Sequence, residues 1–160
     1  MKFLASLLIS LAVAATSPSA NAQNVPSPNV AARSYVLLDY QSGQILTSEK
    51  PAERVEPASL TKLMTAYVVF EALKQKKITT AQTVPVSTKA WKAEGSRMFI
   101  EPNRPVTVDE LMHGMIIQSG NDASIALAEA AAGSEELFAQ LMNKEAKRLG
   151  MKNTLSLIHI

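Results

Sequence analysis

Glu56-Pro57-Ala58-Ser59-Leu60-Thr61-Lys62-Leu63-Met64-Thr65 reads as the opening of a helix. Pro57 pre-sets φ for the first turn. From there Leu60, Leu63, Met64, Tyr67 and Val68 recur at helical spacing, up to about Leu73. Lys74, Lys76 and Lys77 follow, where cations suit the helix dipole. Ser59 and Lys62 stand three apart, so both side chains share a face and reach one another. A serine hydroxyl is a poor nucleophile until a base takes its proton. A lysine is that base only when burial or nearby positive charge lowers its pKa. The start of a helix adds unpaired N–H groups and a positive dipole end, both suited to a developing oxyanion. The pattern alone carries little weight, since about one Ser-x-x-Lys arises by chance in such a chain. A solvated helix turn is the plainer explanation.

Upstream, Ser34-Tyr35-Val36-Leu37-Leu38 is short and almost wholly apolar, which predicts a buried strand. Asp39 to Gly43 is a turn, and Gln44-Ile45-Leu46-Thr47 returns to complete a hairpin. Two strands alone are marginal, so either further strands join them or the helices hold them. Downstream lie a possible strand at Thr83–Val86 and a loop around Gly95. Thr107-Val108-Asp109-Glu110 fits a capping box, and the helix behind it shows Val108, Leu111, Met112, Met115 and Ile116 to a core. It stops at Ser119-Gly120. Asp122 is expected to cap an alanine-rich helix over Ala123–Ala131, and Gly133-Ser134 to end it and cap another. Glu135 and Glu136 in that helix's first turn, Lys147 and Arg148 in its last, and Gly150 beyond them complete the pattern. The expectation is an α+β chain with more helix than strand.

The 160 residues are 47% hydrophobic and 19% charged, which excludes a disordered chain. With 16 basic and 14 acidic side chains, the net charge of +2 is too balanced for an electrostatic nucleic-acid binder. The absence of cysteine excludes disulfides, Cys-based metal sites and a Cys nucleophile. Met1-Lys2, the apolar stretch from Phe3 to Ala15, and Ala20-Asn21-Ala22 have the order of a secretory signal, with cleavage expected after Ala22. Residues 23–33 carry Pro26 and Pro28 and read as a flexible leader. The mature chain is expected to be exported to the periplasm.

Ser119-Gly120-Asn121, between two helices, can offer a hydroxyl and a carboxamide to a cleft. Ser19-Ala20-Asn21 and Ser27-Pro28-Asn29 match the same bare pattern, so only its context favours it. His113 reads as structural, Met112 and Met115 as core filler, Glu135 and Glu136 as first-turn helix charges. Trp91 fits a packed loop or a substrate groove equally well.

Several ordered stretches together carry a resemblance. Leu37 to Leu46, Glu56 to Thr65, Gly95-Ser96-Arg97-Met98-Phe99, Gly114 to Ala123 and Leu149 to Thr154 resemble the low-molecular-mass penicillin-binding proteins. Within these, the chain is most similar to the serine-type D-alanyl-D-alanine carboxypeptidases, over about Ser34 to Thr154. The resemblance implies a β-lactamase/penicillin-binding-protein transpeptidase-like fold, here truncated to the N-terminal hairpin and the helical part. It implies Ser59 as the acyl-ester nucleophile, Lys62 as its general base, Ser119 as proton shuttle, and Asn121 positioning substrate and Lys62. It implies peptidoglycan stem peptides ending in D-Ala-D-Ala as substrates, β-lactams as acylating mimics, and no metal or organic cofactor. Attachment to the outer face of the inner membrane is expected only of a full-length protein.

One departure is plain. The family's Lys-Thr-Gly motif, which binds the substrate carboxylate, does not occur here. Residues 34–154 are therefore expected to be a partial catalytic domain and 155–160 a non-native tail, together an inactive fragment. The competing readings are a serine β-lactamase and a non-catalytic exported module that binds peptidoglycan or β-lactams. Ser-Gly-Asn, where class A β-lactamases usually have Ser-Asp-Asn, weighs against the first.

Overall fold

The computed structural model describes residues 26–156, in two compact units divided after Arg54. The signal sequence, most of the leader's start and residues 157–160 lie outside the described residues.

In the first unit, strands β1 (Tyr35–Leu38) and β2 (Ile45–Glu49) form an antiparallel hairpin, with Tyr35 opposite Glu49 and a bulge between Leu37 and Leu38. Asp39 closes the turn: its Oδ1 accepts from the Ser42 N–H at 2.7 Å and the Ser42 hydroxyl at 2.6 Å. The expected burial does not hold. Val36, Leu37 and Leu38 are about half exposed, as are Ile45 and Leu46. An all-apolar run shows that a strand is suited to cover, not that the cover is present.

The second unit holds the core. A 3-10 turn (Ala58–Thr61) leads into α1 (Lys62–Lys74). Two short strands, β3 (Thr83–Val84) and β4 (Val106–Thr107), pair antiparallel. Between them lies α2 (Thr88–Trp91), where Ser87 Oγ accepts from the Ala90 N–H. Then come α3 (Val108–Gln118), α4 (Asn121–Ala132) and α5 (Glu135–Arg148). The Thr107–Glu110 capping box at the start of α3 is complete.

Helix α4 packs against α1, α2, α3 and α5. Its alanines allow this: Ala123, Ala126 and Ala128 are wholly buried, and methyl side chains let neighbouring helices approach closely. Leu111, Leu127 and Phe138 fill the space between helices, each burial stabilising by about 1.5–3 kcal/mol. The apolar stripe expected on α1 is rotated. Leu60 and Leu63 are exposed, while Thr65, Val68, Val69 and Ala72 face the core. On α3, Met112 and Met115 are core residues, and Ile116 is exposed.

Glu135 is more than a first-turn charge. It is buried and ion-paired with Lys89, which also reaches Glu136 at 3.3 Å and so ties α2 to α5. On α5 the Asn143 carboxamide pairs with the backbone of Ser156, donating to its carbonyl at 2.9 Å and accepting its N–H at 2.7 Å. Among the described residues no helix is long and apolar enough to cross a membrane.

Candidate active site

The break between α3 and α4 sets the site. Ser119 ends α3 in the left-handed region, φ +55°, and the Gly114 carbonyl accepts from the N–H groups of both Ser119 and Gly120. Gly120, extended, precedes α4, and its carbonyl takes the Ser124 hydroxyl at 2.8 Å. The chain thus turns sharply enough to aim Ser119 and Asn121 at one point.

That point is the Lys62 amine. Lys62 Nζ donates to Asn121 Oδ1 at 2.7 Å and to Ser119 Oγ at 3.2 Å. Two motifs nearly sixty positions apart in sequence therefore meet. Lys62 is half-buried, and this desolvation pushes its pKa below the ordinary 10.5. A neutral amine keeps two N–H donors, enough for both partners, and leaves a lone pair to accept a proton.

Ser59 sits in the 3-10 turn immediately before Lys62. At three residues per turn, side chains three apart eclipse, so Ser59 and Lys62 occupy the same face. Ser59 is exposed, and no hydrogen bond engages its hydroxyl among the described residues. Ala58 before it has φ +47°, costly for a residue with a Cβ. Strained backbone thus stands beside Ser59 and at Ser119 itself, a distribution common at functional sites.

The loop 94–100 completes the surroundings. Asn121 Nδ2 donates to the Glu94 carbonyl at 2.7 Å, and its backbone N–H to the Ser96 carbonyl at 2.7 Å. Oδ1 on the amine and Nδ2 on a carbonyl leave the carboxamide one sensible orientation. Gly95, at φ +81°, is needed here, since a Cβ would lie 2.8 Å from Asn121 Nδ2.

Asp122 does not cap as expected. Helix α4 begins at Asn121, and the Asp122 carboxylate, almost wholly buried, reaches across to the loop. It accepts the N–H groups of Met98 at 3.0 Å, Phe99 at 2.8 Å and Ile100 at 3.2 Å. Sequence reasoning missed this role. The available signal was an acid placed directly behind the Asn121 carboxamide at the head of an alanine-rich helix.

The remaining candidates lie elsewhere. His113 is exposed, with Nδ1 2.9 Å from the Asp109 carbonyl one turn earlier. Trp91 ends α2, nearly half exposed.

A serine, a desolvated lysine, and a second serine with a carboxamide are the residue types that serine acyl transfer with lysine as base calls for. The family model for D-alanyl-D-alanine carboxypeptidases, Peptidase_S11, matches residues 20–156. The chain belongs to this family. It is 49% identical over 138 residues to D-alanyl-D-alanine carboxypeptidase DacC of Escherichia coli K12, covering 82% of this chain and 34% of that protein. It is 42% identical over 157 residues to DacF of Bacillus subtilis, covering 96% and 40% respectively. The structure matches penicillin-binding protein 5 of Haemophilus influenzae with a TM-score of 0.80 and 45% identity, over 84% of this chain and 40% of that one. The chain thus spans little more than a third of the length of these relatives. Its fold is the penicillin-binding-protein fold, as its α+β pattern and motifs led us to expect.

Proposed function

We propose that the protein is a serine D-alanyl-D-alanine carboxypeptidase acting on peptidoglycan stem peptides, acylated at the same serine by β-lactams. The observation that carries this is the convergence of Lys62 on Ser119 and Asn121 one turn from Ser59. Ser59 Oγ attacks the carbonyl carbon of the penultimate D-alanine, and its proton passes to the neutral Lys62 amine. The unpaired Ser59 N–H at the head of the turn supplies one donor to the oxyanion. The tetrahedral intermediate collapses, the C–N bond breaks, and Ser119 relays the proton from Lys62 to the departing D-alanine amine. Asn121 holds Lys62 and hydrogen-bonds the substrate amide. Water then hydrolyses the ester, with Lys62 again accepting the proton, and frees the shortened peptide.

Export to the periplasm belongs to the same reading. Its support is the order of Lys2, the apolar stretch and Ala20-Asn21-Ala22. Recovery of the protein outside the cytoplasm with Gln23 at its N-terminus is the expected result.

The decisive assay compares two substrates on the protein expressed from its own gene. Release of D-alanine from a D-Ala-D-Ala peptide, with only slow turnover of bound penicillin, is expected. Rapid penicillin hydrolysis without D-alanine release would replace the assignment with a β-lactamase.

A further inference from the structure

Phe99 is a bulky residue at φ +63°, a conformation such side chains rarely adopt. It is also 71% exposed. Backbone strain here does not serve burial of the ring. It holds the ring in solvent, against the hydrophobic effect, and three hydrogen bonds to Asp122 keep the surrounding backbone in place. The Arg97 guanidinium lies over that ring, 4.8 Å from its centroid.

This stacking matters for what Arg97 can still bind. It engages the face of the guanidinium, while the five N–H donors point outward in its plane. Among the described residues no carboxylate pairs with Arg97 and no acceptor takes those donors. The fork therefore keeps its capacity for a planar, bidentate carboxylate. Its location is fixed at both ends. The Ser96 carbonyl before it accepts from the Asn121 N–H, and the Met98 N–H after it donates to Asp122. Arg97 is thus displayed from a loop fastened directly to the residue that holds Lys62.

We propose that Arg97, supported by Phe99, is a specificity-determining residue that takes a carboxylate of the peptide bound at the Lys62 cluster. This rests on the carboxypeptidase reading for the identity of the peptide, and it adds the group recognised. The carboxylate is an acidic group within the peptide, since the terminal one is the group that the family's Lys-Thr-Gly motif takes.

The test is calorimetric titration of the Ser59→Ala protein, which binds without releasing D-alanine, with three D-Ala-D-Ala peptides: one with a free internal carboxylate and a free terminus, one with the internal carboxylate amidated, and one with the terminus amidated. Loss of the recognised carboxylate is expected to weaken binding about tenfold, as befits one charge-assisted pairing at a partly wet site. In Arg97→Gln that difference disappears, because the fully acidic peptide falls to the affinity of the amide. Arg97→Lys retains part of it, since the charge survives without the planar fork. Internal amidation is the one expected to be felt through Arg97, and an Arg97-dependent response to terminal amidation alone overturns the assignment. Equal affinity for all three peptides, absence of binding, or a preference that survives Arg97→Gln overturns the assignment. Penicillin labelling of the unsubstituted protein separates the two readings. Labelling without carboxylate discrimination leaves Ser59 its role and removes that of Arg97. Discrimination without labelling does the reverse.

Discussion

Two helix-to-helix turns in the same unit solve one geometric problem differently. Both end a helix with a residue in the left-handed region. At the α4–α5 turn that residue is Gly133, φ +85°, followed by Ser134, whose hydroxyl caps α5 through the Leu137 N–H. At the α3–α4 turn it is Ser119, φ +55°, and the following Gly120 makes no side-chain cap. The first turn obeys every local rule and joins two helices. The second places a side chain where glycine would be cheaper, and that side chain contacts Lys62. Local cost at Ser119 is accepted for a position in space, which is the pattern expected where structure serves chemistry.

The largest effect should come from removing what holds the second turn to its loop. Asp122→Ala leaves three backbone donors without their acceptor in a buried place, and about 3 kcal/mol or more of stability should be lost in denaturant unfolding. Asp122→Asn keeps one accepting oxygen and should lose less. A loss under 1 kcal/mol for the alanine variant would show that the loop is held some other way.

Ser119→Gly sharpens the contrast. It relieves the left-handed strain, so unfolding stability should hold or rise slightly, while penicillin acylation slows about a hundredfold without the relay hydroxyl. The mirror experiment, Gly133→Ala, should do the opposite. Beyond its own chain neighbours nothing lies within 4 Å of the added methyl, so the cost is conformational, about 1 kcal/mol, with acylation unchanged. If both variants lose stability and keep acylation, the two turns are equivalent and the contrast is empty.

The smallest effect is a displaced titration. Acylation needs neutral Lys62, so its rate should rise with pH through a midpoint below the ordinary lysine value of 10.5, because burial disfavours the ammonium. The sign for stability follows. A lysine whose folded pKa is lowered binds fewer protons folded than unfolded across that window, so its share of stability rises with pH there and falls as the folded site is forced to protonate. Ser119→Gly should leave this midpoint in place if burial is its main cause. A midpoint at or above 10.5 in the parent protein removes Lys62 as the base.

The helix ends were the most legible parts of the sequence. Thr107 with Glu110, Gly133 with Ser134, and Gly150 at φ +77° are local devices whose partners lie within a few residues. Pairings between distant residues were not legible. Strand β4 meets β3 across more than twenty residues, and each contributes only two positions, too few for any periodicity. The buried face of α1 was partly misjudged because apolar residues occur nearly all round it: Val68 is inward as expected, Leu60 and Leu63 are exposed, and Thr65 takes an inward position that the apolar pattern did not include. At the site, Ser59 and Lys62 were visible as a pair through their spacing. Their meeting with Ser119 and Asn121 was not, since neither triplet exceeds chance, and only the family resemblance brought them together. The hold of Asp122 on the 98–100 backbone and the stacking of Arg97 on Phe99 escaped both routes although the resemblance runs through these residues, because backbone donors and a ring at positive φ leave no residue pattern.

The central claim is that Ser59, activated by Lys62, forms an acyl-enzyme. Its most direct test is the mass-spectrometric location of a penicillin adduct on the protein expressed from its own gene. The account predicts one adduct on Ser59, absent in Ser59→Ala and formed far more slowly in Lys62→Ala. An adduct on another residue, or one that persists in Ser59→Ala, would contradict it.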